Sequence, residues 1–310
     1  MKILITGGAG FIGSHLADRL LDRGDEVLVI DNFATGRREN LREHPHLTLA
    51  EGTIAGQALV DRAFSEFLPE VVIHAAASYQ DPEDWAEDVR TNVLGTCYVT
   101  QAAKRHGVRR LIYFQTSLCY GLQPLEQPIS LDHPIRPAPH SYAVSKTAGE
   151  QYIELSGIQF ISFRLANIYG PRNVSGPLPT FYQRLTAGKP CFVMDTRRDF
   201  VYIDDLIAVV LMAVDGVGKT GPYHISSGSD YSIKELFDAV VTALRIQLDQ
   251  SVEVRPRGLD DTYTILIDPA KTGSDFSWKA STPLEPGVHA AIDWYREHEI
   301  SQTFTHLKSR

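Results

Sequence analysis

The amino-acid sequence predicts an α/β fold, with a doubly wound parallel sheet followed by a smaller mixed α/β lobe. Two observations predict it. Short apolar runs alternate with amphipathic segments of helical length as far as Ile168, and glycine and proline then interrupt the alternation. The chain has 310 residues, 43% of them hydrophobic, so it can bury the core of one large domain or of two associated ones.

Six apolar runs of strand length lie in the first half of the chain. They are Lys2–Thr6, Glu26–Ile30, Leu47–Ala50, Val71–His74, Arg110–Phe114 and Gln159–Arg164. Amphipathic segments at about residues 12–23, 57–67 and 85–106, and one containing Tyr142, have helical length and lie between them. Strands separated by helices of this length form a parallel, doubly wound sheet.

The second half of the chain predicts the smaller lobe. A strand at 200–203 and a helix at 205–214 are expected to return to the main sheet, while a helix at 232–244, strands within 252–267 and a helix at 285–298 complete the lobe. We therefore predict a nucleotide-binding domain at 1–169 with about 200–226, and a substrate lobe at 170–199 and 227–310.

Composition excludes several classes of function. The formal charge of −8 argues against a general binder of phosphate backbones, so nucleic acid is not expected as a partner. Three cysteines, Cys97, Cys119 and Cys191, lack the spacing of a disulfide framework or a zinc site, which predicts no metal and a reducing, cytoplasmic compartment. No signal-peptide pattern and no uncharged apolar run of about 18 residues is present, so no membrane association is expected.

A glycine-rich turn joins the first predicted strand to the first helix. Gly7-Gly8-Ala9-Gly10-Phe11-Ile12-Gly13 has G-x-x-G-x-x-G spacing, which lets backbone N–H groups approach a pyrophosphate at the positive end of a helix. Asp31 ends the second strand 18 residues after Gly13, where a carboxylate can accept hydrogen bonds from ribose hydroxyls. Together these features predict a dinucleotide site.

The same carboxylate predicts which dinucleotide binds. The charge of Asp31 would repel a 2′-phosphate, so it favours NAD over NADP. Asn32, the next residue, is also expected to contact the cofactor. Arg37 and Arg38 could neutralise such a phosphate, but they follow a predicted loop and are interpreted as solvated loop charges.

Tyr142 and Lys146 are four residues apart on a predicted helix, so their side chains share one face. A phenol titrates near pH ~10, and acid–base work at neutral pH needs a shift of roughly 3 units, or about 4 kcal/mol in favour of the phenolate. A neighbouring ammonium is one source of that stabilisation. By itself this spacing also occurs on ordinary solvated helix faces, and the glycine loop favours the catalytic interpretation.

With these residues the sequence resembles the extended short-chain dehydrogenase/reductase family, in its nucleotide-sugar epimerase and dehydratase branch, which includes UDP-glucose 4-epimerases. Further motifs carry the resemblance from residue 1 to about residue 271. They are His74-Ala75-Ala76-Ala77, Asn92-Val-Leu-Gly-Thr96, Arg164-Leu-Ala-Asn167-Ile-Tyr-Gly-Pro-Arg172, Arg198-Asp-Phe-Val-Tyr-Ile-Asp-Asp205 and Asp268-Pro-Ala-Lys271.

The resemblance implies a Rossmann-type domain that holds NAD and a C-terminal lobe that binds a nucleotide sugar. In that family Tyr142 would exchange a proton with a sugar hydroxyl, while Lys146 would hold the nicotinamide ribose and keep the phenol acidic. The further cofactor contacts that it implies are Thr53, Ile54, Ala75, Ala76, Ala77 and Asn92. Thr53 stands where the family usually has an aspartate that bonds the adenine amino group.

The segment Gln115-Thr116-Ser117-Leu118-Cys119-Tyr120-Gly121 supplies the hydroxyl that the family uses to hydrogen-bond the substrate. By resemblance Thr116 occupies that position, with Ser117 as the alternative. Adjacent residues at a strand end point in opposite directions, so one of the two is expected to face the substrate.

The next residue narrows the predicted reaction. Dehydratases and decarboxylases of the family carry an acidic residue after that threonine, whereas this chain has Ser117 and then aliphatic Leu118, which cannot move a proton. The sequence therefore favours C4 epimerisation, in which a keto-sugar rotates and takes back the same hydride. Epimerisation at C3 or C5, dehydration and decarboxylation remain alternatives. Cys119 lies one position from a cysteine that one branch uses, and is interpreted as a buried hydrophobe.

The resemblance also implies substrate anchors: Asn167, Arg198 and Arg257 for the diphosphate, with uracil as the expected base. Arg257 lies in Arg255-Pro-Arg257-Gly258-Leu259-Asp260, which has one residue more than the family's usual run. The loop at 78–85 is shorter than in typical epimerases, so the wall of the sugar pocket is not predicted.

Other functions and partners follow from the resemblance. A non-catalytic NAD(H)-binding regulator is a different class, but such relatives commonly lose the tyrosine that is present here as Tyr142. A reductase that releases NADPH at each turnover is disfavoured by Asp31. A homodimer through the helices at about 85–106 and 141–156 is the family habit, and relatives commonly supply bacterial surface polysaccharides such as O-antigen.

Overall fold

The computed structural model describes residues 1–258, 261–298, 300 and 303. The chain divides into two compact units. The first comprises Met1–Cys119, Ile135–Arg164 and Ile207–Tyr223, and the second comprises Tyr120–Pro134, Leu165–Leu206 and the described residues from His224 onward. These units place 120–134 and 200–206 with the lobe, whereas the predicted division assigned both segments to the nucleotide-binding domain.

The first half of the chain alternates strands and helices. In order these are β1 (Lys2–Thr6), α1 (Phe11–Asp22), β2 (Glu26–Asp31), β3 (Leu47–Glu51), α2 (Gln57–Phe67), β4 (Val71–His74), α3 (Trp85–Asp88), α4 (Thr96–Arg105), β5 (Arg110–Thr116), α5 (Ser141–Ser156) and β6 (Phe160–Leu165). Short 3₁₀ turns lie at Arg38–Asn40 and Ser117–Tyr120. Apart from the segment at 85–106, the predicted strands and helices of this half are confirmed, with shifts of a residue or two at their ends.

The helix predicted at 85–106 is not regular. A π-helical stretch, Val89–Gly95, joins α3 to α4. π-helical turns are rare in proteins, but those that do occur are often found at functional sites. This one contains Asn92, which is buried. A π-helical turn contains more residues than an α-helical turn, but the hydrophobic periodicity of a short segment does not reveal the difference. The sequence therefore predicted an ordinary α-helix.

The second half supplies β7 (Asn167–Tyr169), α6 (Pro177–Thr186), β8 (Phe192–Met194), β9 (Arg197–Arg198), β10 (Phe200–Tyr202), α7 (Ile203–Val214), β11 (Gly221–Ile225), β12 (Tyr231–Ser232), α8 (Ile233–Leu244), β13 (Glu253–Arg255), α9 (Ala270–Phe276) and α10 (Leu284–Glu297). Three two-stranded sheets pair β10 with β7, β12 with β9, and β13 with β8. The core of the second unit packs apolar faces of α6, α8 and α10 together.

The main sheet has seven strands in the order β11-β6-β5-β4-β1-β2-β3. The central pairs β1 with β2, β1 with β4, β2 with β3, and β4 with β5 are parallel. The doubly wound α/β class is therefore confirmed. The expectation that 200–203 returns to this sheet was wrong, because β10 pairs with β7 and the seventh strand is β11.

No helix among the described residues is long and apolar enough to cross a membrane. The same residues contain no cluster of histidine, cysteine and carboxylate side chains arranged to hold a metal ion.

Candidate active site

The glycine turn between β1 and α1 is packed too closely for side chains. Gly7 has φ +68°, and a Cβ there would lie 2.7 Å from the backbone of Ala76. A Cβ on Gly13 would lie 2.2 Å from the carbonyl oxygen of Gly7, so only glycine lets α1 begin against this turn. Gly10 precedes α1 without a side-chain cap, and the first turn of α1 has no acidic residue. The N–H groups of Phe11, Ile12 and Gly13 are therefore available to donate hydrogen bonds to an anion at the positive end of the helix.

Asp31 at the end of β2 is fixed by the backbone. Its Oδ2 accepts a hydrogen bond from Ala9 N and its Oδ1 accepts one from Phe33 N, both at 2.8 Å. A carboxylate has about four acceptor positions, so capacity for ribose hydroxyls remains. Burial raises the pKa of Asp31, and the bonds from Phe33 and Ala9 act in the opposite direction. The adjacent Asn32 side chain accepts from Ala34 N at 3.1 Å.

The side chain of Arg38 is engaged with its own loop and with β3. Arg38 is exposed, forms an ion pair with Glu51, and lies over the Phe33 ring with its guanidinium carbon 4.6 Å from the centroid. The backbone N–H of Arg37 donates to Ala9 O at 3.1 Å. These contacts agree with the interpretation of Arg38 as a loop charge.

The walls of the crevice come from the loops after β3 and β4. Ala75 N donates to Thr6 O at 3.0 Å and Ala76 N donates to Thr6 Oγ1 at 3.2 Å, which holds the segment that continues to Ala77 beside the glycine turn. After β3, Ile54 is buried. The Thr53 hydroxyl accepts from Ala55 N at 3.2 Å, so it is occupied by its own turn as an acceptor.

Asn92 connects this wall to the helix that carries Tyr142. Its Oδ1 accepts from Ser78 N at 2.8 Å, and its Nδ2 donates to Ser78 O at 2.9 Å and to Ser145 Oγ at 3.0 Å. Ser145 Oγ in turn donates to Tyr142 O at 3.0 Å. Asn92 therefore ties the loop after β4 to α5 with both of its N–H donors, while its Oδ1 can accept one further hydrogen bond.

Tyr142 and Lys146 lie on α5, as the spacing predicts, and Lys146 is buried. The Lys146 ammonium lies 3.9 Å from the centroid of the Tyr113 ring, and the Tyr113 hydroxyl donates to Lys146 O at 2.9 Å. Gln115 Nε2 donates to the same carbonyl at 3.2 Å. The second half of β5 is therefore bonded directly to the middle of α5.

The expectation that Lys146 keeps the phenol acidic is not met by the protein groups alone. Burial raises the pKa of Tyr142, and Tyr79 and Asp88 raise it further. Burial also lowers the pKa of Lys146 to about 7, which weakens its ability to stabilise a phenolate near neutral pH. The phenol is therefore protonated until another positive charge comes close to it.

The segment after β5 holds both candidate hydroxyls. Thr116 is half-buried and its Oγ1 accepts from Leu118 N at 3.2 Å, which leaves its O–H free to donate. Ser117 is 9% exposed. Cys119 is fully buried, and burial raises the pKa of its thiol to about 12. These facts confirm that Cys119 faces the core and leave Thr116 and Ser117 both available.

The predicted substrate anchors lie in the second unit. Asn167 N and Nδ2 both donate to Asp199 O, at 2.9 and 3.2 Å. Arg198 forms an ion pair with Asp261 at 2.6 Å and donates to Thr262 O at 3.2 Å. Arg257 is exposed, and the last two residues of its predicted motif, Leu259 and Asp260, lie outside the described residues.

Two residues that bear on the site, Gly149 and Asp88, were not found from the sequence, and a third, His74, was found only as part of a motif with no role assigned to it. A Cβ on Gly149 would lie 2.7 Å from Asn92 O, so this glycine lets α5 contact the π-helical stretch. The carboxylate of Asp88 is buried near Tyr142, and its Oδ1 has no hydrogen-bond partner in the described part of the chain. His74 is hydrogen-bonded through both ring nitrogens. The sequence does not predict these contacts, because each of them joins residues far apart in the chain.

A family model described as the NAD dependent epimerase/dehydratase family matches residues 3–226. The chain belongs to that family. The crevice fits the cofactor in the family's name, because the glycine turn is a cradle that a Cβ would fill and Asp31 retains acceptor capacity. The resemblance to the epimerase/dehydratase branch is thereby confirmed.

Two curated relatives resemble this epimerase/dehydratase over nearly its whole length. UDP-glucose 4-epimerase of Mycolicibacterium smegmatis is 31% identical over 313 residues, covering 96% of this chain and 99% of the relative. UDP-glucuronic acid decarboxylase 1 of Arabidopsis thaliana is 30% identical over 323 residues, covering 97% of this chain and 71% of the relative. Among solved structures, the Bordetella bronchiseptica enzyme WbmH in complex with NAD⁺ is 54% identical with a TM-score of 0.94, covering 96% of this chain and 99% of that one.

Proposed function

We propose that this chain catalyses NAD-dependent epimerisation of a nucleotide sugar, a UDP-hexose or a derivative, at C4 through a transient keto-sugar. The observation that carries the proposal is the segment after β5. It offers the Thr116 hydroxyl at the end of β5, a strand that is hydrogen-bonded to the helix of Tyr142, and it continues with aliphatic Leu118 and a fully buried Cys119. The arrangement supplies one acid–base group and one hydroxyl, which is what oxidation and reduction at a single carbon need.

In this proposal the first unit holds the cofactor. The glycine turn at residues 7–13 binds the pyrophosphate, Asp31 accepts from the adenosine ribose, and Lys146 donates to the nicotinamide ribose. NAD, when bound, accepts a hydride from the sugar carbon and returns it to that carbon. The complex of WbmH with NAD⁺, at 54% identity, supports this choice of cofactor.

The chain's own groups move the proton. Tyr142 takes the proton of the sugar hydroxyl as the C–O bond becomes a carbonyl, and gives it back when the carbonyl is reduced. Thr116 donates a hydrogen bond to the same oxygen throughout. The raised pKa of Tyr142 in the protein alone means that the positive charge of the oxidised nicotinamide has to favour the phenolate.

Elimination, decarboxylation and C3 or C5 epimerisation are disfavoured by the same segment. Leu118 occupies the position where family dehydratases carry an acid, and its backbone is fixed by bonds to Thr116 Oγ1 and from Ala138 N. The Cys119 thiol, fully buried with its pKa raised to about 12, does not serve as a second acid or base.

For the substrate we propose that the second unit binds the nucleoside diphosphate through Asn167, Arg198 and Arg257. A planar guanidinium suits a diphosphate, and both curated relatives act on UDP-linked sugars by their names. The named activities differ between these relatives, so the sugar is the part of the proposal that depends on experiment.

We also propose a homodimer through α5 and the α3-to-α4 segment. Val144, Tyr152 and Leu155 are exposed on α5 at spacings of eight and three residues, so they line one face. Trp85 and Val89 are exposed on the other segment. Exposed apolar stripes of this kind mark interfaces.

For location we propose the cytoplasm, because all three cysteines are free. For pathway we propose the supply of sugars to a surface polysaccharide such as O-antigen.

The test is incubation of the purified protein with UDP-hexoses and their N-acetyl and uronic forms, with the products followed by NMR in deuterated water. We expect interconversion of C4 epimers without deuterium at carbon. Deuterium at C3 or C5 would indicate epimerisation at that carbon, and release of carbon dioxide would indicate decarboxylation. Either result would contradict C4 epimerisation. Conversion of no sugar, with NAD(H) still bound, would favour the regulator. The variants Thr116→Val and Ser117→Ala then test which hydroxyl hydrogen-bonds the substrate. We expect the larger loss of kcat from Thr116→Val.

A further inference from the structure

We propose that His74 is a positioning residue that ties the wall of the cofactor crevice to the π-helical stretch and to Lys146. This inference rests on the proposed function, because it assigns a task within that site. His74 ends β4, is fully buried, and lies one residue before the Ala75–Ala77 wall.

The hydrogen bonds around His74 run in one direction only. Thr96 Oγ1 donates to Asn92 O at 2.7 Å, since a carbonyl accepts, and it must therefore accept from His74 Nε2 at 2.9 Å. Ala76 N donates to Thr6 Oγ1 at 3.2 Å, which leaves the Thr6 proton for His74 Nδ1 at 2.6 Å. His74 is thus the neutral tautomer with its proton on Nε2.

The two ends of this chain of bonds reach the two halves of the site. At the Nδ1 end, Thr6 holds Ala75 and Ala76, against which Gly7 packs. At the Nε2 end, the Thr96 hydroxyl and the Asn92 carbonyl form the surface that Gly149 contacts on α5. One imidazole therefore joins the cofactor wall to the catalytic helix.

A second path runs through an aromatic ring. The His74 and Tyr113 rings lie 5.6 Å apart between centroids, and Tyr113 also contacts the Lys146 carbonyl and ammonium. Burial and the charge of Lys146 lower the pKa of His74 to about 3. A protonated His74 would lose its bond from Thr6 and repel Lys146, so the arrangement depends on a neutral ring.

Two substitutions separate the ends of the chain. The Asn side chain of His74→Asn retains an acceptor near Nδ1 but no donor near Nε2, whereas Gln in His74→Gln retains the distal donor. We expect His74→Gln to raise the dissociation constant of NAD⁺ about tenfold with kcat at saturating cofactor close to wild type. We expect His74→Asn to leave NAD⁺ affinity close to wild type and to lower kcat about tenfold, with KM unchanged.

His224→Gln is the matched control. His224 is also fully buried and bonded through both ring nitrogens, to the Tyr120 hydroxyl at 2.6 Å and to Asp268 O at 2.9 Å. We expect it to lower Tm without changing kcat or NAD⁺ affinity. In the background of His74→Asn, Thr96→Val should add no further loss of kcat, whereas in the wild type it should cost about as much as His74→Asn.

The proposal is overturned if both His74 variants lower Tm alone, as His224→Gln does, or if both change NAD⁺ affinity and kcat alike. NAD⁺ binding by the wild type and the two variants is measured without a sugar. It therefore tests His74 even where no nucleotide sugar is converted, which is the outcome that contradicts the proposed function.

Discussion

The two units hold their candidate site residues by different means. In the first unit the backbone does most of the holding: Gly7 and Gly13 are in close contact with other main-chain atoms, and two N–H groups fix Asp31. In the second unit Arg198 is engaged in an ion pair with Asp261, and Arg257 is exposed. The comparison indicates that the glycine turn and Asp31 are held in place in advance, whereas Arg198 would have to leave Asp261 to bind the proposed diphosphate.

The largest expected effect separates chemistry from cofactor binding in the first unit. Tyr142→Phe removes the acid–base hydroxyl but keeps the ring, so we expect kcat to fall about 10³-fold. Because the backbone holds the cofactor, NAD⁺ affinity should stay within about twofold of wild type by calorimetry. A parallel loss of NAD⁺ binding would show that the two tasks are not separable.

Gly13→Ala tests whether the crevice depends on backbone contact. Its Cβ would lie 2.2 Å from Gly7 O, so the turn must shift, and we expect NAD⁺ to bind at least about tenfold more weakly. Gly273→Ala is the control in α9, where the nearest heavy atom would be at 3.5 Å. Unchanged NAD⁺ affinity in Gly13→Ala would refute a preformed crevice.

Exchange of partners in the second unit is tested through the ion pair. Arg198→Ala should raise KM for the nucleotide sugar about tenfold to a hundredfold, as expected for lost hydrogen bonds to a charged group, with NAD⁺ affinity unchanged. Asp261→Asn removes the competing carboxylate and should lower KM a few-fold. If Asp261→Asn raises KM instead, the pair is not exchanged but orients the guanidinium.

Lys146 is expected to reduce the stability of the cofactor-free protein. Its pKa falls from 10.5 to about 7 on burial, so between these values the folded protein binds fewer protons than the unfolded chain. The free energy of unfolding should therefore rise with pH across this window, by at most about 1.4 kcal/mol per unit from this group. Lys146→Met should flatten that slope in urea unfolding at pH 7 and 9.5, and raise Tm at pH 7. Equal slopes in both proteins would contradict the burial argument.

The smallest expected effect concerns the phenol itself. Asp88 raises the pKa of Tyr142, so Asp88→Asn should lower it. The acidic limb of the kcat profile would then move to lower pH, by about one unit at most. Glu83→Gln, an exposed acid in the same loop region, is the control and should leave the limb in place. A limb unmoved by Asp88→Asn would remove this carboxylate from the account of the phenol.

The sequence predicted the parts of the site that depend on local spacing. The strand-turn-helix glycine pattern, Asp31 at the end of β2 and the Tyr142/Lys146 pair each follow from the geometry of one element or one turn, and the structure places them in those elements. The burial of Cys119 was also predicted, because a free cysteine usually behaves as a small buried hydrophobe. Substrate roles in the second unit rested on motif resemblance alone, so they stay proposals.

Only the tertiary structure decided what depends on residues far apart in the chain. The seventh strand of the main sheet is β11 and not the segment 200–203, and Asn92 lies in a π-helical stretch. Arg198 forms an ion pair with Asp261. The raised pKa of Tyr142 and the tautomer of His74 likewise come from burial and from partners on other elements. Spacing along a chain fixes which side chains share an element, but charge, protonation and competition for partners depend on what the fold packs beside them.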